Sequence, residues 1–141
     1  MVDMTDKKKR KGIFAKAKKK RAVARAVVTK GTGKVRINGS AIETMPQEYL
    51  RDLVREPLIL AGPIAEEVNI DVTVKGGGFM GQTISARSAI AKSLLEYKKD
   101  DKLRKKFLAY DRILLVDDPR RVEPKKQLGP KARKKKQSSK R

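Results

Sequence analysis

The two ends of this chain are so strongly cationic that only the stretch between them can form a compact core. Residues 7–21 contain 10 basic residues and no acidic one, and residues 119–141 contain 11 basic residues and one acidic residue, Glu123. Residues 22–118 are nearly balanced, with 16 basic and 13 acidic residues. Because dense like charge opposes collapse, we predict a basic N-terminal extension at 1–21, a compact domain at 22–118 and an extended basic tail at 119–141.

The overall charge and the missing residue types limit the possible functions. A formal net charge of +21 favours polyanionic partners. The chain has no cysteine and no histidine, which excludes disulfides, thiolate or imidazole metal ligands and the common nucleophile and base pairs of enzymes. No apolar run approaches 18 residues. We therefore predict a protein that is not an enzyme, with no cofactor, no small-molecule substrate and no membrane partner.

Three β-rich runs lie within the first 75 residues of the chain. Residues 22–29 and 34–38 are joined by Lys30-Gly31-Thr32-Gly33, which predicts a hairpin, and Asn38-Gly39 predicts a further turn. Residues 68–75 alternate between apolar and polar side chains, which predicts a strand with one face in water. The N-terminal run 7–21 has too few apolar residues to bury, and we expect it to be disordered or extended until a partner neutralises its charge.

Helices are predicted by capping signals and by apolar spacing. Residues 44–47 resemble a capping box, so a helix should begin near Met45 and end before Pro57. Apolar residues at helical spacing predict a central helix from about Gly81 to Tyr97. Asp101 can cap a further short helix, and the apolar run 113–116 predicts a last strand.

The glycine-rich stretch VKGGGFMGQTISAR, from Val74 to Arg87, differs by one residue from the phosphate-binding pattern GxxxxGK(S/T). Gln82 stands where that pattern requires lysine, and a neutral amide cannot offset phosphate charge. The alternating strand before it is also unlike the buried strand of a nucleotide hydrolase. Glycines between a strand and a helix still expose backbone amides that suit a phosphate group, including that of RNA, and a turn without a ligand is the alternative.

Three sequence blocks, in order, resemble the archaeal form of one family, the ninth protein of the small ribosomal subunit. They are EPLILAG, which begins at Glu56, GGGFMGQTISARSAIAKSLL, which begins at Gly76, and DPRRVEPKK, which begins at Asp118 and is followed by GPKARKKKQSSKR from Gly129. The resemblance covers about residues 18–141. One departure is Ala17-Lys18-Lys19-Lys20, where the family has Gly-Lys-Arg-Lys.

The resemblance implies an α+β fold, a two-layer β-α-β sandwich with a left-handed crossover, plus long extended basic N- and C-terminal arms. It implies a structural constituent of the head of the small ribosomal subunit, ribosome-bound in the cytoplasm. The implied partners are small-subunit ribosomal RNA, other head proteins and tRNA in the P site. The candidate tRNA-binding residues are the last three of the tail, Ser139, Lys140 and Arg141.

Basic and polar positions of the two arms and of the glycine-rich stretch are the candidate ribosomal RNA contacts. They are Lys18, Lys19, Lys20, Arg25, Lys75, Gly77, Gly78, Gln82, Arg87, Arg120, Arg121, Lys125, Lys126, Lys131, Arg133, Lys134, Lys135 and Lys136. The 23 residues of the tail could span roughly 75 Å if extended, and without an aromatic residue they should bind phosphates rather than stack on bases. The alternative is a DNA-compacting basic protein, which would prefer duplex DNA to ribosomal RNA.

Overall fold

One five-stranded sheet organises the part of the chain that the computed structural model describes, residues 12–134. Its strands are β1 (Ile13–Lys19), β2 (Ala22–Lys30), β3 (Val35–Ile37), β4 (Ser40–Ala41) and β5 (Val68–Lys75), in the spatial order β1-β2-β5-β3-β4. All neighbours are antiparallel except β3 and β5, which are parallel. The helices are α1 (Glu48–Ala61), α2 (Pro63–Glu66), α3 (Phe79–Lys98) and α4 (Asp101–Tyr110), with 3-10 turns at Ile42–Thr44 and Arg112–Leu114. The predicted α+β class is confirmed.

Helix α3 covers one face of the sheet and packs on β1, β2 and β5. This agrees with the prediction that it is the central helix. The side chains that point from the strands towards α3 form an apolar face. Those of β1 and β2 are mostly alanines, and those of β5 are valines and isoleucine. These residues are Ala15, Ala17, Ala22, Ala24, Ala26, Val28, Val68, Ile70, Val72 and Val74. Alanines on the sheet and Ser85, Ala86 and Ala89 on α3 let the two backbones approach closely. Helix α1 packs on α3 rather than on the sheet.

The predicted hairpin between residues 22–29 and 34–38 is wrong, although both strands exist. β5 lies between them and pairs with each. The loop at residues 31–34 is bonded to β5 instead: the Asn69 side-chain oxygen accepts from the amides of Thr32 and Lys34 at 2.9 and 3.1 Å. The Asn38-Gly39 turn is confirmed, with φ of 50° and 83°, and it joins β3 to β4. The parallel β3-α1-β5 connection is present, while its left-handed sense stays a prediction.

The predicted start of the compact domain at Ala22 is wrong, because Ile13–Lys19 belong to the sheet. These residues form β1 and pair along their full length with β2, so the sheet begins at Ile13 rather than at Ala22. Ala15 and Ala17 are buried beneath α3. Alternating alanines supply the apolar face of this strand, and these small side chains become buried because α3 packs on them. Residues 1–11 lie outside the described part of the chain.

Two helix boundaries differ from those predicted. Helix α1 begins at Glu48, because the Thr44 hydroxyl donates to the Ala41 carbonyl at 2.7 Å instead of capping a helix at Met45. Pro57 lies inside α1, which ends at Ala61 and is followed by the capping residue Gly62, with φ of 60°. Burial of the apolar face that includes Val54, Pro57 and Ala61 contributes more stability to α1 than the loss of one backbone hydrogen bond at Pro57 removes.

The second half of the chain follows the prediction more closely, except at its last apolar run. Helix α3 begins two residues before the predicted position, and α4 begins at Asp101 with Asp100 as its cap. The strand predicted at 113–116 is wrong. Leu114 alone of these residues is fully buried, in a 3-10 turn, and the Ser88 hydroxyl donates to the Ile113 carbonyl at 2.9 Å.

Candidate nucleic-acid interface

The sheet face opposite α3, which we call the open face, carries a concentration of basic side chains. Strand alternation and exposure place on it Phe14, Lys16, Lys18, Val23, Arg25, Val27, Thr29, Arg36, Asn69, Asp71, Thr73 and Lys75. Asp71 is its one acidic residue within the strands of the described chain. Because the excess of positive charge lies on a solvated face, the open face is electrostatically suited to phosphate groups.

Strand register arranges these side chains in rows across the sheet. Lys18, Val23 and Lys75 form one row, and Lys16, Arg25 and Thr73 form the next. A third row runs from Phe14 through Val27 and Asp71 to Arg36. Adjacent rows are about 6.6 Å apart because every second residue of a strand points to the same face. The cations are thus held on a fixed grid by β1, β2, β3 and β5.

The glycine-rich stretch borders the first of these rows. Gly76 and Gly77 have φ of 79° and 68°, which only glycine adopts readily, and Gly78 caps α3. The loop presses against the β1–β2 turn: a side chain at Gly76 would place its Cβ 2.5 Å from the Arg21 carbonyl oxygen. The sharp turn predicted from the glycines is confirmed, and it brings Lys75 beside Lys20 and Arg21.

Helix α3 begins beside this cluster of cations. The first helical hydrogen bond runs from the Gln82 amide to the Gly78 carbonyl at 2.9 Å, so the amides of residues 79–81 precede the hydrogen-bonded ladder. The first turn contains no acidic residue. The positive end of the helix dipole therefore adds to the potential of Lys20, Arg21 and Lys75.

The start of the tail is fixed to the domain by charged hydrogen bonds that we call the tail clasp: Lys19, Asp118 and Arg120. The Asp118 carboxylate is 6% exposed and accepts from Arg120 Nη2 at 2.7 Å and from the Lys19 ammonium. These hydrogen bonds, that of Arg120 first, hold the pKa of Asp118 well below its ordinary value. The preceding residue adds a second anchor, because Lys92 Nζ lies 2.6 Å from Asp117 Oδ1.

Beyond the tail clasp the described tail is folded back and not fully extended. Leu128, with φ of 68°, lies in a turn, and Arg133 pairs with Glu123 through bonds of 2.6 and 3.0 Å. Arg21 lines the same cavity as residues 122–125 and 130–134. Residues 127–134 of the described tail therefore do not continue one extended path, and the extended form of the whole tail, residues 119–141, stays a prediction. Both partners of the Glu123–Arg133 pair are exposed, at 46% and 84% of their side chains, so this contact stabilises the folded-back loop little.

Two candidate RNA contacts are occupied within the protein. Arg87 is 7% exposed and lies between the carboxylates of Glu56 and Asp111, at 2.5 and 2.8 Å. The Gln82 side chain donates to the Gly76 carbonyl at 3.2 Å, so it braces its own loop. We therefore assign Arg87 a structural role. Moving its guanidinium to a phosphate would leave the carboxylates of Glu56 and Asp111 unpaired, and the free energy lost would exceed that gained from one phosphate contact.

The other candidates fall into three groups. Lys18, Lys20, Arg25, Lys75, Gly77 and Gly78 lie together on the open face or at its glycine-loop end. Arg121, Lys125, Lys126, Lys131, Arg133 and Lys134 are exposed on the tail, whereas Lys19 and Arg120 belong to the tail clasp. Lys135, Lys136, Ser139, Lys140 and Arg141 lie outside the described residues.

The prediction missed four residues of this interface: Phe14, Lys16, Arg21 and Arg36. The first three were assigned to the N-terminal extension at residues 1–21. For Phe14 and Lys16 the signal is the alternation of Phe14, Lys16 and Lys18 with Ile13, Ala15 and Ala17, which is the pattern of a strand. The position of Arg36 on the open face follows from the pairing of β3 with β5, which no local sequence pattern predicts.

A sheet with a cationic open face, joined to a basic tail, is typical of proteins that bind nucleic acid. None of the helices within residues 12–134 combines the length and apolar character needed to cross a membrane. The sequence comparison defines the class further. The model of the family described as ribosomal protein S9/S16 matches residues 17–141, and the chain belongs to this family, which is not a family of enzymes.

Three relatives show how close the similarity is, and each is described as small ribosomal subunit protein uS9. The protein of Picrophilus torridus is 47% identical over 127 residues, which are 90% of this chain and 96% of that protein. The protein of Methanococcus vannielii is 43% identical over 130 residues, 89% of this chain and 97% of that protein. The protein of Pyrobaculum aerophilum is 46% identical over 114 residues, 81% of this chain and 80% of that protein.

Proposed function

We propose that this chain is a structural constituent of the head of the small ribosomal subunit in the cytoplasm, held there by ribosomal RNA and by neighbouring head proteins. The observation that carries the RNA contact is the cationic grid of the open face. Lys18 and Lys75 lie near Lys20 and Arg21 of the β1–β2 turn, at the end of the open face that borders the glycine-rich loop and the start of α3. Family membership supplies the ribosomal setting.

The charges of the tail extend this interface. The tail clasp holds Asp118 beside Lys19 of β1, and the described tail turns back towards Arg21. Tail cations therefore lie beside Arg21, near the glycine-loop end of the open face. The exposed Glu123–Arg133 pair can open at little cost when phosphates replace Glu123. On this proposal the tail straightens on RNA and carries its last residues, Ser139, Lys140 and Arg141, to the tRNA in the P site.

Reversing two open-face charges tests the RNA contact. In the Arg25→Glu/Lys75→Glu variant, binding to small-subunit RNA should lose at least two phosphate contacts, and the log-log salt slope should become shallower by about 1.5 to 2. Filter binding over a salt series measures this slope. Lys102→Glu/Lys105→Glu, on the exposed surface of α4, makes the same change in net charge and should leave the slope near its original value.

An equal effect of the two double variants would show that only net charge matters, and the open face would then not be the RNA site. Tighter binding of duplex DNA than of ribosomal RNA by the unaltered chain would support the DNA-compacting alternative instead.

Deleting residues 137–141 tests the tRNA contact. Small subunits that contain the truncated chain should assemble normally, because the open face and most tail cations remain, yet P-site tRNA should dissociate severalfold faster. The measurement is the dissociation rate of labelled tRNA from purified subunits. A variant with Lys140 and Arg141 replaced by alanine keeps the tail length and should show most of the effect. An unchanged rate in both variants would contradict the proposed tRNA contact.

A further inference from the structure

The open face contains an exposed apolar pair that phosphate binding does not explain. Phe14 on β1 is 57% exposed and lies directly opposite Val27 on β2, which is 38% exposed. Single exposed apolar residues are common on protein surfaces. Here, however, the aromatic ring and its apolar neighbour stand side by side at the border of the cationic rows, next to Lys16 and Arg25. Contact with phosphate groups alone does not account for this apolar pair.

The cations nearest this pair are placed to hold a nucleic-acid backbone beside it. Lys16 and Arg25 face each other in the next row of the sheet, about 6.6 Å along the strands from Phe14 and Val27. Arg36 lies in the same row as Phe14, beyond Asp71. A chain that crosses the open face can thus place a phosphate between Lys16 and Arg25 while its base lies over the phenyl ring.

We infer that the open face seats an unpaired nucleotide of the RNA, whose base stacks on Phe14 while Lys16 and Arg25 hold its phosphates. This inference rests on the proposed RNA-binding function and adds the kind of RNA that is recognised. Unpaired bases stack on exposed aromatic rings of sheets, whereas the bases of a duplex are already stacked on one another. Phe14 supplies what the tail cannot, because residues 119–141 contain no aromatic residue.

The test uses the full chain, a single-stranded RNA oligonucleotide that carries the fluorescent base 2-aminopurine, and an RNA duplex and a DNA duplex of the same length. Phe14→Leu keeps an apolar side chain but removes the aromatic ring, and Phe14→Trp restores one. Tyr49→Leu changes another exposed aromatic residue, on α1, and is the matched control. Circular dichroism verifies that each variant is folded.

Phe14→Leu should weaken binding of the single strand about tenfold and reduce the quenching of 2-aminopurine, while duplex binding and the salt slope stay unchanged. Phe14→Trp should restore both signals, and Tyr49→Leu should affect neither. If Phe14→Leu and the unaltered chain bind the single strand equally and quench 2-aminopurine equally, the inference is overturned. The proposed RNA-binding function would not be affected by that result. Failure of the unaltered chain to prefer either RNA over duplex DNA would instead contradict the proposed function.

Discussion

Replacing Gly76 with alanine is expected to lower the free energy of unfolding by about 3 kcal/mol, because the new side chain meets two penalties. The backbone at Gly76 has φ of 79°, a region that costs alanine roughly 1 to 2 kcal/mol. The added Cβ would also lie 2.5 Å from the Arg21 carbonyl oxygen, so the loop or the β1–β2 turn must move. Urea unfolding followed by circular dichroism measures the loss, since the chain has no tryptophan.

Gly39→Ala separates the two penalties. Gly39 has φ of 83°, but nothing lies within 4 Å of its added Cβ, so this variant should lose only about 1 kcal/mol through backbone strain. Similar losses in both variants would mean that the contact with Arg21 is unimportant. If the contact is as tight as the structure indicates, Gly76→Ala should also weaken RNA binding, because the turn that carries Lys20 and Arg21 shifts.

Replacing Arg87 with methionine is expected to cost about 3 kcal/mol of unfolding free energy, because it leaves Glu56 and Asp111 without their shared cation. The guanidinium joins α1, through Glu56, and the end of α4, through Asp111, to the central helix. Glu56 also acts on Tyr110, whose pKa its negative charge raises above the ordinary value. Chemical unfolding is again the measurement, together with RNA affinity per folded molecule, which should not change.

Two further variants show whether uncompensated charge causes this loss. Arg87→Lys keeps a cation and should fall between the unaltered chain and Arg87→Met. Adding Glu56→Gln and Asp111→Asn to Arg87→Met removes the unpaired charges and should recover part of the stability. A stable Arg87→Met variant with weakened RNA affinity would return Arg87 to the set of RNA contacts from which its burial removes it.

Local patterns predicted those parts of the fold in which neighbouring residues decide the structure. The alternation of β5, the Asn38-Gly39 turn and the apolar spacing of α3 each depend on residues close in sequence, and each is confirmed. β1 carried the same kind of pattern and was missed because alanine is a weak hydrophobic signal until a helix packs on it. The strand predicted at 113–116 failed for the opposite reason, since apolar residues alone provide no partner strand.

The charge distribution allowed the class of partner to be predicted. Contacts between residues far apart in the sequence decide which cations are exposed and able to bind that partner. Arg87 and Arg25 look equivalent in the sequence, and one is buried between two carboxylates while the other is exposed on the open face. Lys19 and Lys18 are neighbours, yet strand alternation sends Lys19 to Asp118, 99 residues away, and Lys18 to the open face.

The sequence by itself determined the charge of this protein, the kinds of chemistry it lacks, its family resemblance and the positions of its most periodic elements, because each depends on composition or on residues within a few turns of the chain. Only the tertiary structure decided that β5 separates β2 from β3, that Phe14 joins a cationic grid and that the described tail folds back at Leu128. Strand order and ion pairing depend on which distant segments pack together. That choice depends on the free energy of the whole folded domain, which no local pattern contains.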